Sequence, residues 1–358
     1  MKGMKGRPTL RHVAKRAGVS IQTVSGVLNH RSDLWCSEAT IERVRQAVEE
    51  LDYRPNAAAR GLRLGTFQTA GLLVEDVTNP HYMNFARELR RALTAQGYSL
   101  VIEDGELSLK AGSMALENLA RQNIDGLFVM ATADGRFKRL FDGIERVGLP
   151  LVFVGGRAHR HGDCVDLDYV SGFRDVARHL ADLGHRRVGF VCGLPEGEKM
   201  ASRKRLYAAA IRSAGLHFYP ALFRECEPSC AGAASAASDL LRDGVGSRPT
   251  AIIAVNDLLA IGVVRAAQEL GLHVPRDVSV VGNDNLSIAA YQSVALTTLS
   301  APLRQLAAAA ADCFFARRRT GEANASRVTL SRKIPVEFVP RESTGPVGPA
   351  ARQAPSAC

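Results

Sequence analysis

The stretch VAKRAGVSIQTVSGVLN, residues 13–29, decides how the N-terminal part of this chain folds. Leu10, Val13, Ala14 and Ala17 recur at three- and four-residue spacing, which places them on one face of a helix. Thr9 precedes that pattern as a capping hydroxyl, and Gly18 follows it where a helix end needs a left-handed residue. Ser20 caps a second short helix that turns Val24, Val27 and Leu28 inward. A helix, a glycine-containing turn and a second capped helix make a helix-turn-helix. After the polar loop HRSDLWCSEAT, residues 30–40, Ser37 opens a third helix with Ile41, Val44, Ala47, Val48 and Leu51 on one side. The three helices are expected to share one small core, with Trp35, the only tryptophan, as a packing plug.

The charge around this unit points to a polyanion. The whole chain carries +10, and between Met1 and Ser32 stand Lys2, Lys5, Arg7, Arg11, Lys15, Arg16 and Arg31 with no acidic residue. A solvated basic tail would show the same charge but would not need ordered apolar periodicity. Ile21, Gln22 and Ser25, near the start of the second helix, are placed to enter a major groove while the cations hold phosphates. The Gln22 amide matches adenine's donor and acceptor, and Ile21 can pack on a thymine methyl. The plainer alternative for Gln22 is a solvent-facing helix residue.

At 358 residues the chain exceeds what one core usually supports, so two or three domains are expected. From Thr69 onward, apolar runs such as AGLLVED (70–76), YSLVIED (98–104), DGLFVMA (125–131), LPLVFVGG (149–156), RVGFVCG (187–193), TAIIAVND (250–257) and VSVVGND (278–284) alternate with helical patterns. That alternation implies parallel sheets covered on both faces, here in two lobes. Ligands of open α/β sheets bind beyond the carboxyl ends of the strands, where Asp76, Asp104, Asn256, Asp257, Asn283 and Asp284 collect.

Other classes fit less well. Seven cysteines form no Cys-x-x-Cys pair and read as free thiols, and Cys226 and Cys230 with His217 fall short of the four ligands of structural zinc. No apolar run is long enough to cross a membrane, and Met1–Leu10 lacks a signal peptide's apolar centre, so a cytoplasmic protein is expected. There is no Gly-x-Ser-x-Gly elbow and no His-Glu-x-x-His pair; GLPEGEK (193–199) lacks the Gly-Lys-Ser/Thr ending of a phosphate loop. The reading is therefore not an enzyme, with no cofactor and no metal. A solute-binding protein would share the large domain but not the basic helix-turn-helix.

Six segments then occur in one order: TLRHVAKRAGVSIQTVSGVLN (9–29), SEATIERVRQAVEELDYRPNAAARGL (37–62), GLLVEDVTNP (71–80), LADLGHRRVGF (180–190), AVNDLLAIGVVRAAQELGLHVPRDVSVVGNDN (254–285) and ALTTLSAP (295–302). In this the chain resembles the LacI/GalR family of bacterial repressors. The resemblance implies an N-terminal three-helix helix-turn-helix domain plus an α/β two-lobed periplasmic-binding-protein-like domain with parallel doubly wound sheets. It divides the chain into a headpiece (8–55), a hinge (56–68), an effector-binding and dimerisation domain (69–342) and a disordered tail (343–358). The N-lobe is expected at about 69–165 plus 296–330, and the C-lobe at about 166–295. The implied partners are a pseudo-palindromic operator bound by a homodimer, and a small effector: a sugar, sugar acid or sugar phosphate, with a nucleobase as alternative. Relief of repression by an inducer is the expected arrangement; corepression and activation are the alternatives.

By the same resemblance the DNA contacts fall on Thr9, Ser20, Ile21, Gln22, Thr23, Ser25, Gly26, Asn29, Tyr53, Asn56, Ala59 and Leu62. Leu62 takes the place of a leucine wedged into the minor groove, an insertion that kinks the duplex. The effector contacts fall on Arg205, as the arginine that reaches effector oxygens, and on Asp284, Asn256, His81 and Tyr82. Departures from the family pattern are Gly26, which removes a base contact; His12, expected to weaken the first helix cap; a longer loop around Trp35; and Gly155–Gly156, where an acidic–basic pair is usual.

Overall fold

The computed structural model describes residues 8–28, 36–54, 61, 65–105, 123–130, 149–155, 162–194, 198–242, 247–320 and 331–348. Contacts divide the chain into a unit of residues 1–67 and a unit of residues 68–358. Asn29, Trp35, Asn56, Ala59, Leu62 and Gly156 lie outside the described residues.

The described residues of the first unit include the helices α1 (Leu10–Ala17), α2 (Ile21–Leu28) and α3 (Glu38–Glu50). Val13, Val24 and Val44, one from each, are fully buried against one another's neighbours. Gly18 ends α1 at φ +66°, the left-handed region that glycine enters without a Cβ clash. Ser20 Oγ accepts the Thr23 N–H at 3.0 Å, and Ser37 Oγ accepts that of Thr40 at 3.3 Å. The cap of α1 is not weakened by His12: its Nδ1 accepts the Thr9 N–H at 3.0 Å, so the ring nitrogen supplies the acceptor that a carboxylate would. Tyr53, expected at DNA, is 8% exposed and packs into the three-helix core.

The second unit holds two parallel sheets. One contains β1 (Thr69–Val74), β2 (Ser99–Asp104), β3 (Leu127–Met130), β4 (Leu151–Val154), β5 (Asp163–Asp168) and β11 (Ser331–Pro335), in the order β11-β5-β4-β3-β1-β2. The other orders β7 (Phe223–Glu225), β6 (Val188–Cys192), β8 (Ala251–Ala254) and β9 (Ser279–Val281) as β7-β6-β8-β9. A two-stranded antiparallel piece joins β10 (Thr298–Ser300) to β12 (Glu337–Val339). Among the described residues the helices of this unit are α4 (Pro80–Thr94), α5 (Tyr169–Asp182), α6 (Glu198–Ser213), α7 (Cys230–Leu241), α8 (Asp257–Glu269), α9 (Ser287–Ala290) and α10 (Leu303–Thr320). The chain moves between the sheets after β5, after β9 and after β11, so the lobes share three crossings.

Strands β3, β4, β6 and β8 are buried along their whole length, as expected of parallel strands covered on both faces. β5 and β11 are among the strands that carry no such signal. β5 reads DCVDLD, and its Asp163 is fully buried because Arg317 of α10 donates to both its oxygens, from Nε at 2.9 Å and Nη2 at 2.6 Å. β11 reads SRKIP and lies exposed at the sheet edge, where charged side chains are tolerated. It extends the first lobe beyond residue 330.

Residues 343–348, expected in a disordered tail, are instead built into the second lobe. Ser343 is fully buried; its Oγ donates to Val280 O at 2.6 Å, and Val280 N donates to Ser343 O at 2.8 Å. Val347 N donates to Leu183 O, and the buried His185 ring joins Thr250 Oγ1 to Gly345 O at 2.9 and 3.1 Å. Backbone pairing and one buried ring thus outweigh the Pro-, Ala- and Gly-rich composition of the tail.

Burial lowers the His185 pKa to about 4 from an ordinary 6.5. Its contribution to stability is therefore complete above pH 6.5 and lost as pH falls toward 4, at about 1.4 kcal/mol per pH unit. His185→Gln, followed by urea unfolding from pH 7 to pH 4.5, should flatten the acid limb by about one proton. An unchanged slope would mean that the ring does not fold as the neutral form.

Candidate DNA-reading helix and effector cleft

The capped start of α2 presents Ile21, 42% exposed, and an exposed Gln22 to solvent. Ser20 and Thr23 are committed to each other through their hydroxyls at 2.9 Å, which rigidifies the entry turn. Thr9 is exposed, and Thr23 and Ser25 are half-buried. Gly26 differs from expectation: it is buried. Lys15 and Arg16 are exposed beside this surface, Arg16 Nη2 lying 2.6 Å from Glu50 Oε2. An apolar side chain and an amide exposed together on a basic helix pair suit a groove floor. Gln22→Ala should cost about 1–3 kcal/mol of binding to the preferred site and relax the preference at one base pair. Selection on randomised DNA measures this; an unaltered preference would remove Gln22 from base reading.

The cleft lies at the carboxyl ends of the two sheets. In the first lobe, β1 delivers Glu75, and Asn79 caps α4 by accepting the His81 N–H at 3.0 Å. His81 and Tyr82 therefore stand on the first turn of α4. Tyr82 donates its hydroxyl hydrogen to Glu75 Oε2 at 2.8 Å, and Lys199 Nζ of α6 reaches the same oxygen from the second lobe at 2.8 Å. The His81 ring meets that of Tyr82 edge-on at 5.7 Å.

Asp284 enters from the loop after β9 with φ +109°, a conformation an L-residue adopts only when its surroundings hold it. Asn283 Nδ2 donates to its Oδ1 at 2.9 Å and to Val255 O at 3.3 Å. His81 Nδ1 lies 3.3 Å from the same Asp284 oxygen, out of alignment for a hydrogen bond. Burial pushes the Asp284 carboxyl up to about 8, against the pull of Arg203, and lowers His81 to about 4. Asn256 takes the plain role of a cap, its side chain accepting the Leu259 N–H at 2.9 Å. Asp257 is structural, accepting from Thr298 Oγ1 at 2.6 Å and Leu286 N at 2.7 Å.

The arginine of the cleft is Arg203 and not Arg205. In α6 the buried positions are Met200, Tyr207, Ala208, Ala210 and Ile211; Arg203 stands three residues after the first and four before the second, and Arg205 is exposed. Arg203 lies over the rings of Tyr169 and Phe173, at 4.6 and 5.6 Å from their centroids. Tyr207, four residues on, stacks on Phe190 at 4.3 Å and anchors this face of α6. The buried aromatic at that spacing was the sequence signal for the correct register. Tyr169, Glu75 and Lys199 were also unread, since nothing in a linear pattern brings them to the cleft.

Among the described residues, four buried side-chain atoms find no hydrogen-bond partner: His81 Nδ1, Ser171 Oγ, Arg203 Nη1 and Tyr207 Oη. Buried polar groups are nearly always satisfied, so such a group in a cleft marks a place where a polar ligand belongs. Aromatic faces, a cation, a carboxyl and free donors together suit a small hydroxyl- or oxyanion-bearing molecule.

Comparison with known proteins agrees with this division. Residues 9–56 match the model of bacterial regulatory proteins of the lacI family, and residues 177–344 match a periplasmic binding protein-like domain. The chain is 33% identical over 312 residues to the HTH-type transcriptional repressor PurR of Aliivibrio fischeri strain MJ11, spanning 86% of this chain and 91% of that one. It is 32% identical over 308 residues to the ribose operon repressor of Escherichia coli K12, spanning 85% and 91%. A Lac repressor dimer bound to operator and an anti-inducer superposes with a TM-score of 0.79 at 27% identity, covering 95% of this chain and 100% of that one. A LacI family regulator of Enterococcus faecium with bound ribose gives 0.68 at 25% identity, covering 78% and 99%. The two matched regions, the curated repressors and the fold leave one conclusion: the chain belongs to the LacI family, a DNA-binding transcriptional regulator with a periplasmic-binding-protein-like effector domain, and not an enzyme.

Proposed function

We propose that this protein is a cytoplasmic homodimeric repressor of carbohydrate-uptake or catabolic genes, whose hold on a pseudo-palindromic operator is set by a small molecule in the interlobe cleft. The observation that carries the effector site is that the unpartnered polar atoms of His81 and Arg203 both face Asp284, from opposite lobes. The Lac repressor is seen as a dimer on operator and the Enterococcus regulator with ribose, which supports the same assembly and a polar ligand of similar size.

The proposed DNA contacts are Thr9, Ser20, Ile21, Gln22, Thr23 and Ser25, with Leu62 as the minor-groove wedge. In the cleft, Arg203, Asp284, His81 and Tyr82 hold the effector, while Glu75 and Lys199 tie the lobes across it. Such an ion pair biases the equilibrium between lobe arrangements, and an effector that favours one arrangement changes operator affinity by its differential binding. The effector site thereby acts on DNA affinity through the shared crossings.

Operator binding by fluorescence anisotropy tests this. Arg203→Met should bind operator normally and lose its response to effector, whereas Arg205→Ala should respond like the native protein. The reverse result would return the role to Arg205. Lys199→Met removes the lysine contact of the buried Glu75 carboxylate and should shift the effector midpoint several-fold, the scale of a coupling of about 1–3 kcal/mol. A midpoint that stays in place would exclude the cross-lobe pair from the switch.

A further inference from the structure

The end of the hinge carries a helix stop of its own. Gly61 is helical, its carbonyl accepts the Thr66 N–H at 3.2 Å, and Gly65 stands at φ +65°. A bond that runs back from Thr66 to Gly61, with a left-handed residue just before its donor, is a pattern that ends many helices. Gly65 suits that place because it has no Cβ to clash in the left-handed region. Further on, Gln68 is held at φ +50°: its N–H donates to Asp125 Oδ2 at 2.7 Å, and its carbonyl accepts the Ser99 N–H at 2.8 Å. Thr66 and Phe67 thus stand between two left-handed residues, which sets the direction of the Phe67 side chain.

The Phe67 ring lies on Gly61. A Cβ at Gly61 would stand 2.2 Å from Phe67 Cδ1 and 2.7 Å from Cε1. Carbon atoms in contact need about 3.5–4.0 Å, so the ring can lie there only on a glycine. Gly61 is buried and Phe67 half-buried. Within a helix glycine is about 1 kcal/mol less favourable than alanine, so propensity alone argues against it at this position. The ring contact is the feature that glycine permits there and alanine does not. Leu62 follows Gly61 directly in the chain. A segment that must order itself on binding loses affinity, and one already held in its bound form avoids that loss.

Resting on the reading of Leu62 as the minor-groove wedge, we infer that Phe67 is a positioning residue for operator binding: its ring, laid on Gly61, holds the end of the hinge helical before DNA arrives. The ring itself needs no contact with the duplex. It acts through Gly61, by sparing the adjoining wedge residue the ordering that binding would otherwise demand.

Full-length Phe67→Ala, Phe67→Leu, Gly61→Ala, Leu62→Ala and the variant combining Gly61→Ala with Phe67→Ala are compared with native protein by fluorescence anisotropy. The probes are the duplex that native protein enriches most from randomised DNA and a scrambled duplex of the same composition. Phe67→Ala and Gly61→Ala should each weaken binding to the selected duplex about 10-fold or more and leave binding to the scrambled one unchanged. Phe67→Leu should recover most of the loss. The combined variant should bind no worse than Phe67→Ala, because the ring that the new Cβ would strike is gone. Energy transfer between the ends of the selected duplex reports the kink, which should shrink in Phe67→Ala. Gly61→Ala binding as tightly as native protein or more tightly, as helix propensity alone would have it, would overturn the inference. Equal losses on both duplexes would make the ring a general prop of the DNA-binding unit and would also overturn it. Loss in Leu62→Ala without loss in Phe67→Ala or Gly61→Ala would keep the wedge and overturn the positioning role. Loss in those two with none in Leu62→Ala would keep the ring's role in ordering the hinge and remove Leu62 as the wedge.

Discussion

Asp257 ties together the segments on which the effector cleft depends. Its carboxylate is fully buried at the start of α8, with one oxygen on the Thr298 hydroxyl of β10 and the other on the Leu286 N–H; its own N–H donates to Asn283 O. One side chain thus binds the loop after β9, the second crossing between lobes and a helix N-terminus. Burial raises the carboxyl to about 7, so this junction is held against a desolvation cost. Gly282 belongs to the same constraint, because a Cβ there would stand 2.2 Å from Asp257 Oδ1. With the junction fixed, the next residues have little choice, and Asp284 is carried into the cleft at positive φ.

From that junction the rest of the site follows by packing. Phe173, Phe190, Phe223 and Tyr207 form one aromatic cluster in the second lobe, which sets the rotation of α6 about its axis. The rotation brings Arg203 to the cleft and leaves Arg205 in solvent. Aromatic pairs of this kind contribute about 0.5–1.5 kcal/mol each beyond area burial, enough to hold a helix in one register. The first lobe contributes a helix N-terminus at Asn79 and the two residues after Pro80, so each lobe supplies half of the polar lining.

A cleft built this way is suited to regulation. Both lobes present buried polar atoms that have no partner among the described residues, and a ligand that satisfies them favours the arrangement in which both halves meet it. The Glu75–Lys199 pair crosses the same gap and is a native counterpart of such a ligand contact.

Much of this architecture is legible in the chain itself. Helical periodicity with capping residues announces α1, α2 and α3, and continuous apolar runs announce β1, β3, β4, β6, β8 and β9, because both patterns are local consequences of backbone geometry. The strands DCVDLD and SRKIP escaped, since one is buried only by a partner 154 residues away and the other is a solvated edge. Tyr53 and Gly26 went to the core for want of any local sign of which face is covered. The choice of Arg203 over Arg205, and the burial of residues 343–348, depended on neighbours far along the chain. Local spacing therefore determined the elements and the family of the fold. Only tertiary packing decided which polar groups are buried together without partners, because burial is a property of what surrounds a residue and not of its own sequence.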